Sequence, residues 1–312
     1  MKVAASIVNA RREKAANRIA TQGFLPLADL CEELGVSLAT ARRDLACLQS
    51  EGRIARVHGG AMPIGGKPEV APQVRRKVHS SSSSIASLFE SSGAEALKEA
   101  ICEMGRRSWM RGFTEGNGGN LSVRLGDHFL CTPTGVSKGF MKPEMICLVD
   151  SEGRQVASNS IWQRTSEILT HLAIYHAEPM ATAVVHAHPV HATAFAISGI
   201  EPPRGLLPEI EMFVGPIVRA DYRMPGSPEL GEIIARLAPG HQSILLRNHG
   251  LICWGTNIED AYFKLEITES YCQTLTIAAQ LPGRLTTIPQ EELKSLLDLK
   301  RKMGLPDARF TS

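Results

Sequence analysis

The chain has 312 residues, 43% hydrophobic and 21% charged, which suits a folded globular protein and excludes the disordered and fibrous classes. No run of roughly 18 residues is apolar enough to span a bilayer, and residues 1–18 hold no apolar core of signal-peptide length, so a cytoplasmic protein without a membrane partner is expected. The net charge of +2 hides an asymmetry: residues 1–79 carry 13 Lys or Arg against 7 Asp or Glu while the remainder is mildly acidic, as a polyanion-binding head on a different kind of body would be.

Residues 7–21 place Ile7, Ile19 and several alanines at helical spacing, and Gly23 stands where that helix stops. Pro26 opens a second short helix, LADLCEEL, closed by Gly35. In VSLATARRDLACLQSEG, Ser37 is the expected N-cap, Val36, Ala41, Leu45 and Leu48 form a buried stripe, and Gly52 ends the helix. RIARVHGGA alternates like a strand and turns at glycine. Helix, short helix, helix and hairpin make a winged helix-turn-helix, whose third helix brings Ser37, Thr40, Arg42 and Arg43 toward base edges and phosphates in the major groove, with Arg56 and His58 on the wing. Double-stranded DNA is therefore the partner expected for residues 1–62. This segment resembles the DeoR-type repressor domain, through VSLATARRDL and RVHGGA, over about residues 10–62.

Residues 63–93, rich in Pro, Gly and Ser, are expected to be a flexible linker, and Arg75, Arg76 and Lys77 would be a solvated charge run or an extension of the DNA footprint. The remainder, 94–312, opens on the amphipathic helix EALKEAICEMGRRSWMRG. Strands LSVRL, HFLCT and MICLVD follow, then a helix SEILTHLAIYH, a strand ATAVVHAH, a helix opened by Pro189, a strand pair SILLRNHGLICWG and a long helix from Ile258. Alternating strands and helices indicate an α/β layer fold. The seven cysteines are scattered without a CxxC pair, which argues against a disulfide framework or a thiolate zinc site. No GxGxxG or P-loop supports nucleotide binding.

The stretch VVHAHPVH places His186 and His188 on one side of a strand, because successive side chains alternate faces, and LLRNHG adds His249. Three imidazoles with an open position suit a catalytic Zn²⁺, at about 2.0–2.1 Å per nitrogen. The alternative is a pair of polar residues hydrogen-bonded within a core.

GNGGNLSVR, CTPTGVSKGFM, TSEILTHLAIY, VVHAHPVHATA and LLRNHGLI, in this order, resemble the class II aldolase and adducin family, from about residue 97 to the final helix EELKSLLDLKRKMG. The resemblance implies an α/β/α sandwich on a mostly antiparallel sheet, assembled as a homotetramer, with one Zn²⁺ per subunit. It makes His186, His188 and His249 ligands and Glu167 both the fourth ligand and the catalytic acid–base group. It assigns a phosphate pocket to Gly119 and Asn120, Thr134 and Gly135, and Thr165 and Ser166. It further implies cleavage of a ketose 1-phosphate, as by the family's fuculose-1-phosphate aldolases, to glycerone phosphate and an aldehyde.

Two tyrosines that serve that branch as proton donors have no counterpart here. The first segment reads LPEIEMF, so Glu211 or else Glu209 is expected to supply the acid, and Met303 stands near the second position. An EM pair here also resembles the family's methylthioribulose-phosphate dehydratases. His191 is expected to be structural. A sugar-phosphate-sensing transcriptional regulator is the other functional reading, and a catalytically silent adducin-like scaffold a third.

Overall fold

The structure is a computed structural model that describes residues 5–22, 25–36, 38–57, 60–63, 82–159 and 161–310. Two compact units divide the chain at Val78 and His79.

In the first unit α1 (Ala5–Gln22), β1 (Leu25–Pro26), α2 (Leu27–Leu34), α3 (Leu38–Ser50), β2 (Ile54–Val57) and β3 (Gly60–Pro63) form three helices and a sheet ordered β1-β3-β2. Ile19, Leu30, Ala41, Leu45, Leu48 and Ile54 are buried in one core, and full burial of each leucine or isoleucine stabilises by about 1.5–3 kcal/mol. Gly35, at φ 60°, turns the chain out of α2 in the left-handed region that glycine adopts without strain. Asp44 lies inward on α3, 2% exposed, and accepts from Arg11 Nε at 2.6 Å and Arg12 Nε at 3.0 Å, which ties α3 to α1. Burial pushes its carboxyl up, yet the two guanidiniums hold it below the ordinary value.

The expected linker, 63–93, is interrupted by structure. Pro63 ends β3, and α4 (Ser82–Phe89) and the start of α5 (Ser92–Met110) occupy its last third, while residues 64–81 lie outside those described. The reason is an apolar triplet inside the serine run: Ile85, Leu88 and Phe89 share one helical face, and Ile85 and Phe89 pack on the core of the second unit. Lys98 fastens this turn, donating to Phe89 O at 2.7 Å with its ammonium 3.6 Å above the Phe89 ring. Ser91 caps α5, accepting from Ala94 N at 3.2 Å.

The second unit continues with β4 (Asn120–Leu125), β5 (His128–Cys131), β6 (Cys147–Val149), β7 (Gln155–Ala157), α6 (Ile168–Ala177), β8 (Ala183–Ala187) and α7 (Val190–Ser198). After these come α8 (Pro208–Phe213), β9 (Ile217–Ala220), α9 (Pro228–Leu237), β10 (Ser243–Leu246), β11 (Gly250–Gly255), α10 (Ile258–Ala278) and α11 (Gln290–Lys302). The sheet runs β7-β6-β5-β4-β8-β11-β10-β9; β9 and β10 are parallel and every other adjoining pair is antiparallel. Alternation sends Val185, Leu251 and Leu121 to one face, against α5, α7 and α10, and Val184, Ile252 and Trp254 to the other, against α6 and α9. This is the expected α/β/α sandwich. Residues 200–242, for which the sequence suggests no element, hold α8, β9 and α9, the last with Ser227 as N-cap. Among the described residues no helix is long and apolar enough to cross a membrane.

Candidate metal centre

Strand register builds the centre. His186 on β8 lies opposite Asn120 on β4 and opposite Ile252 on β11, facing the α6 side of the sheet. His188 follows the end of β8, where its N–H donates to Phe113 O at 2.9 Å. His249 sits in the three-residue turn between β10 and β11, which Asn248 closes at φ 55°, a left-handed conformation that asparagine tolerates. Gly250 is required there: a Cβ would stand 2.6 Å from Ala187 O and 2.7 Å from His188 Cδ2.

One nitrogen of each of His186, His188 and His249 lies within 4.8 Å of the other two. His186 Nε2 is 3.1 Å from His188 Nε2. Glu167, just before α6, places Oε2 3.8 Å from Nε2 of both His186 and His249. Donors around one tetrahedral ion with bonds of about 2.0–2.1 Å stand about 3.3 Å apart, so these four groups fit a single divalent cation. His186 Nδ1 meets Leu251 O at 2.9 Å, which fixes the proton on Nδ1 and frees Nε2 as a donor to metal. Glu115, not foreseen from the sequence, accepts from His188 Nδ1 at 3.0 Å. Burial, with His249 and His188 adding repulsion, holds His186 well below its ordinary pKa, and burial also lowers His249, so both rings keep lone pairs for a metal.

Behind Glu167 runs a second set of polar groups. Asn120 Nδ2 donates to Glu167 Oε1 at 3.0 Å, and Asn120 Oδ1 is 2.6 Å from His171 Nε2. His171 Nδ1 is 2.7 Å from Ser122 Oγ, which is 2.8 Å from Tyr175 OH. His171 was missed, although it stands one helical turn beyond Glu167, a spacing that puts both on one face. Lys138 was missed too. It is 1% exposed and donates to Val136 O at 2.5 Å and Asn117 O at 3.1 Å; burial lowers its pKa to about 8, with Glu167 opposing.

The expected phosphate residues divide. Thr134 and Ser166 line one open cleft with Gln155, Gln163 and Arg164, so a cation joins the expected hydroxyl donors. Gly135 follows Thr134 at φ 73°, exposed. Asn120 and Thr165 are instead 4% exposed and turned inward, Asn120 between Glu167 and His171 and Thr165 accepting from Glu167 N at 3.2 Å. Gly119 has a packing reason, since a Cβ would stand 2.7 Å from Thr114 Cγ2 and 2.8 Å from His186 O.

Glu211 is the residue expected to supply the acid. It is 1% exposed, with Oε1 accepting from Gly205 N at 2.6 Å and Oε2 from Arg309 Nη1 at 2.6 Å. Both carboxylate oxygens are thus taken up within the fold. It belongs to a fastening cluster in which Lys300 binds Asp307 Oδ2 at 2.8 Å and Glu211 O at 2.9 Å. Glu209 lies exposed beside Arg111 and Glu266. His191 is structural: Glu269 accepts from its Nδ1 at 2.7 Å and its N–H at 3.0 Å, and from Ala192 N at 2.8 Å, capping α7.

In the first unit Arg43 is exposed on α3 and shares a groove with Thr40, Arg11 and Arg12. Ser37 and His58 lie outside the described residues. Arg42 and Arg56 lie on α3 and β2, their side chains outside the description.

Residues 99–276 match the model for the Class II Aldolase and Adducin N-terminal domain, and residues 11–64 that for the DeoR-like helix-turn-helix domain. The chain is 32% identical over 208 residues to a 3-oxo-tetronate 4-phosphate decarboxylase of Cupriavidus necator, covering 65% of this chain and 94% of the relative. It is 38% identical over 164 residues to an L-fuculose phosphate aldolase of Methanococcus maripaludis, covering 52% and 87%. Among solved structures, YgbL from Escherichia coli superposes with a TM-score of 0.61 at 27% identity, over 65% of this chain and 98% of that one. An L-fuculose 1-phosphate aldolase gives a TM-score of 0.61 at 27% identity, over 69% and 99%. The chain therefore belongs to the class II aldolase and adducin family and carries a DeoR-like helix-turn-helix domain ahead of it.

Proposed function

We propose that the second unit is a zinc-dependent carbon–carbon lyase acting on a phosphorylated oxo sugar, and that the first unit binds double-stranded DNA. One observation carries the enzymatic reading: Glu167 Oε2 stands equidistant, at 3.8 Å, from the Nε2 atoms of His186 and His249, with His188 Nε2 3.1 Å from His186. His186, His188 and His249 would hold the metal, with Glu167 alongside. When bound, Zn²⁺ polarises a substrate carbonyl and stabilises the electron pair left on the adjoining carbon as a bond breaks. Glu167 supplies or removes the proton on that carbon, and its half-buried position keeps bulk water from competing. Thr134, Ser166 and Arg164 offer hydroxyl and guanidinium donors to the phosphate, and Gly135 lets the backbone approach it.

The relatives named above include a decarboxylase of a 3-oxo acid and an aldolase, and both reactions leave an electron pair beside a carbonyl. Retro-aldol cleavage of a ketose 1-phosphate also needs a base to take the proton from the hydroxyl that becomes the aldehyde carbonyl, whereas loss of CO₂ from a carboxylate does not. The commitment of Glu211 to Arg309 removes the expected second acid–base group, which favours decarboxylation of a 3-oxo sugar-acid phosphate as the second reading. Assaying the zinc-loaded protein on both substrate classes, with and without chelator, tests this. Chelator-sensitive turnover of either class is expected, and no turnover of any member would refute the lyase reading.

For the head, exposed Arg43 and the neighbouring basic groove on α1 and α3 support backbone contact with DNA. Operator binding modulated by a sugar phosphate in a Glu167→Gln variant would favour a sensing role over a metabolic one.

A further inference from the structure

The polar groups behind Glu167 admit one consistent set of proton positions. An ionised carboxylate only accepts, so the part of Asn120 that lies 3.0 Å from Glu167 Oε1 is its NH₂. Its carbonyl oxygen therefore faces His171 Nε2 at 2.6 Å, and that nitrogen carries the proton. A neutral imidazole then leaves Nδ1 as an acceptor, so Ser122 donates to it at 2.7 Å. With its single proton spent, Ser122 receives the Tyr175 hydroxyl at 2.8 Å. Every member is sealed from solvent: Ser122 and His171 are 0% exposed, Tyr175 3% and Asn120 4%.

We propose that Tyr175, Ser122 and His171 are positioning residues, a one-way hydrogen-bond chain that locks the Asn120 carboxamide with its NH₂ toward Glu167 Oε1 and so leaves Oε2 for the cation site. Two elements close on each other to make it. Asn120 and Ser122 alternate onto one face of β4, and His171 and Tyr175 stand one turn apart on α6. Without His171 the carboxamide could turn over and set its oxygen against the carboxylate. Burial, helped by His186, brings His171 down to about 3, and burial pushes Tyr175 above its ordinary value, so both keep these proton states at physiological pH. The chain therefore orients Glu167 without feeding it protons.

The inference rests on Glu167 serving the metal site, and its test has one arm that does not. In full-length metal-free protein labelled with ¹⁵N-histidine, the resonance lost in His171→Gln identifies His171. The expected result is a neutral ring protonated on Nε2 from about pH 5 to about pH 9, between the free carboxylate and free lysine values. A ring protonated on Nδ1, or one that titrates in that window, overturns the chain. The second arm measures zinc affinity by competition with a chromophoric chelator. His171→Leu is expected to weaken binding about 10–100-fold, while His171→Gln, which returns an N–H to Asn120, stays within about threefold. If His171→Leu does not fold, Ser122→Ala, which removes one hydroxyl, is expected to weaken zinc about threefold or more. Equal loss in the Gln and Leu variants, or unchanged affinity in Leu and Ala variants, overturns the positioning role. A parent protein with no zinc affinity would sink the metal reading instead, and the tautomer of His171 would still judge the chain.

Discussion

Replacing Glu211 by glutamine removes one charge from a cluster in which its Oε2 meets Arg309 at 2.6 Å and its Oε1 takes Gly205 N–H at 2.6 Å. The amide keeps an acceptor for Gly205 but turns an NH₂ toward a guanidinium that can only donate. Losing a charge-assisted bond and leaving Arg309 short of a partner costs about 3 kcal/mol. At about 2–4 °C per kcal/mol for a unit of this size, the melting temperature of the second unit falls about 6–12 °C. Scanning calorimetry measures that fall, and turnover at 25 °C, on whichever substrate class is cleaved, measures the chemistry. Turnover within about twofold of the parent is expected, whereas loss of a general acid costs about 10²–10⁴-fold. A variant that melts like the parent yet loses activity a hundredfold would refute the fastening role and restore Glu211 to the reaction.

Asp44→Asn should unfasten α1 from α3. Because Arg11 and Arg12 lower its folded pKa, Asp44 stabilises the head above its unfolded value of about 3.9, and this contribution fades as pH falls through the lower folded value. Hydrogen exchange of α3 amides in the full chain should therefore be faster in Asp44→Asn than in the parent at pH 7, and the difference should vanish near pH ~2; a difference constant with pH would contradict it. Arg43→Ala should weaken DNA binding and lower the salt slope by about 1, with enzyme rates unchanged, as read by fluorescence anisotropy across a salt series. His188→Ala should lose zinc and turnover while DNA affinity holds, and full metal stoichiometry in that variant would overturn the ligand assignment. Gly250→Ala should fold at a cost of about 1–3 kcal/mol but bind zinc more weakly, since the new methyl presses on Ala187 O and the His188 ring; parental zinc affinity would refute the close approach.

Much of the centre was legible in the chain because local geometry carries it. A period of two places His186 and His188 on one face, Pro189 marks the end of one strand, and the glycine after His249 opens the next. Glu167 and His171 were equally readable as one helical turn, yet the partners that give His171 its meaning, Asn120 and Ser122, reach it only through the register of β4 with β8. Register between strands some sixty residues apart leaves no trace in either strand alone. The pairing of Glu211 was hidden likewise, since its partner Arg309 lies 98 residues downstream. The serine run hides α4 because its polar composition masks the helical spacing of Ile85, Leu88 and Phe89. In the head, local signals sufficed for the described residues, since the apolar stripe, Gly35 and Gly52 fall within a few residues of the helices they define.

X-ray absorption at the zinc edge, on protein loaded with one equivalent of Zn²⁺, addresses the shared ion directly. The account predicts three imidazole nitrogens at about 2.0–2.1 Å with oxygen completing the shell, and a loss of imidazole scattering in His249→Ala. Sulfur scattering at about 2.3 Å, or a shell of oxygen alone, would contradict it.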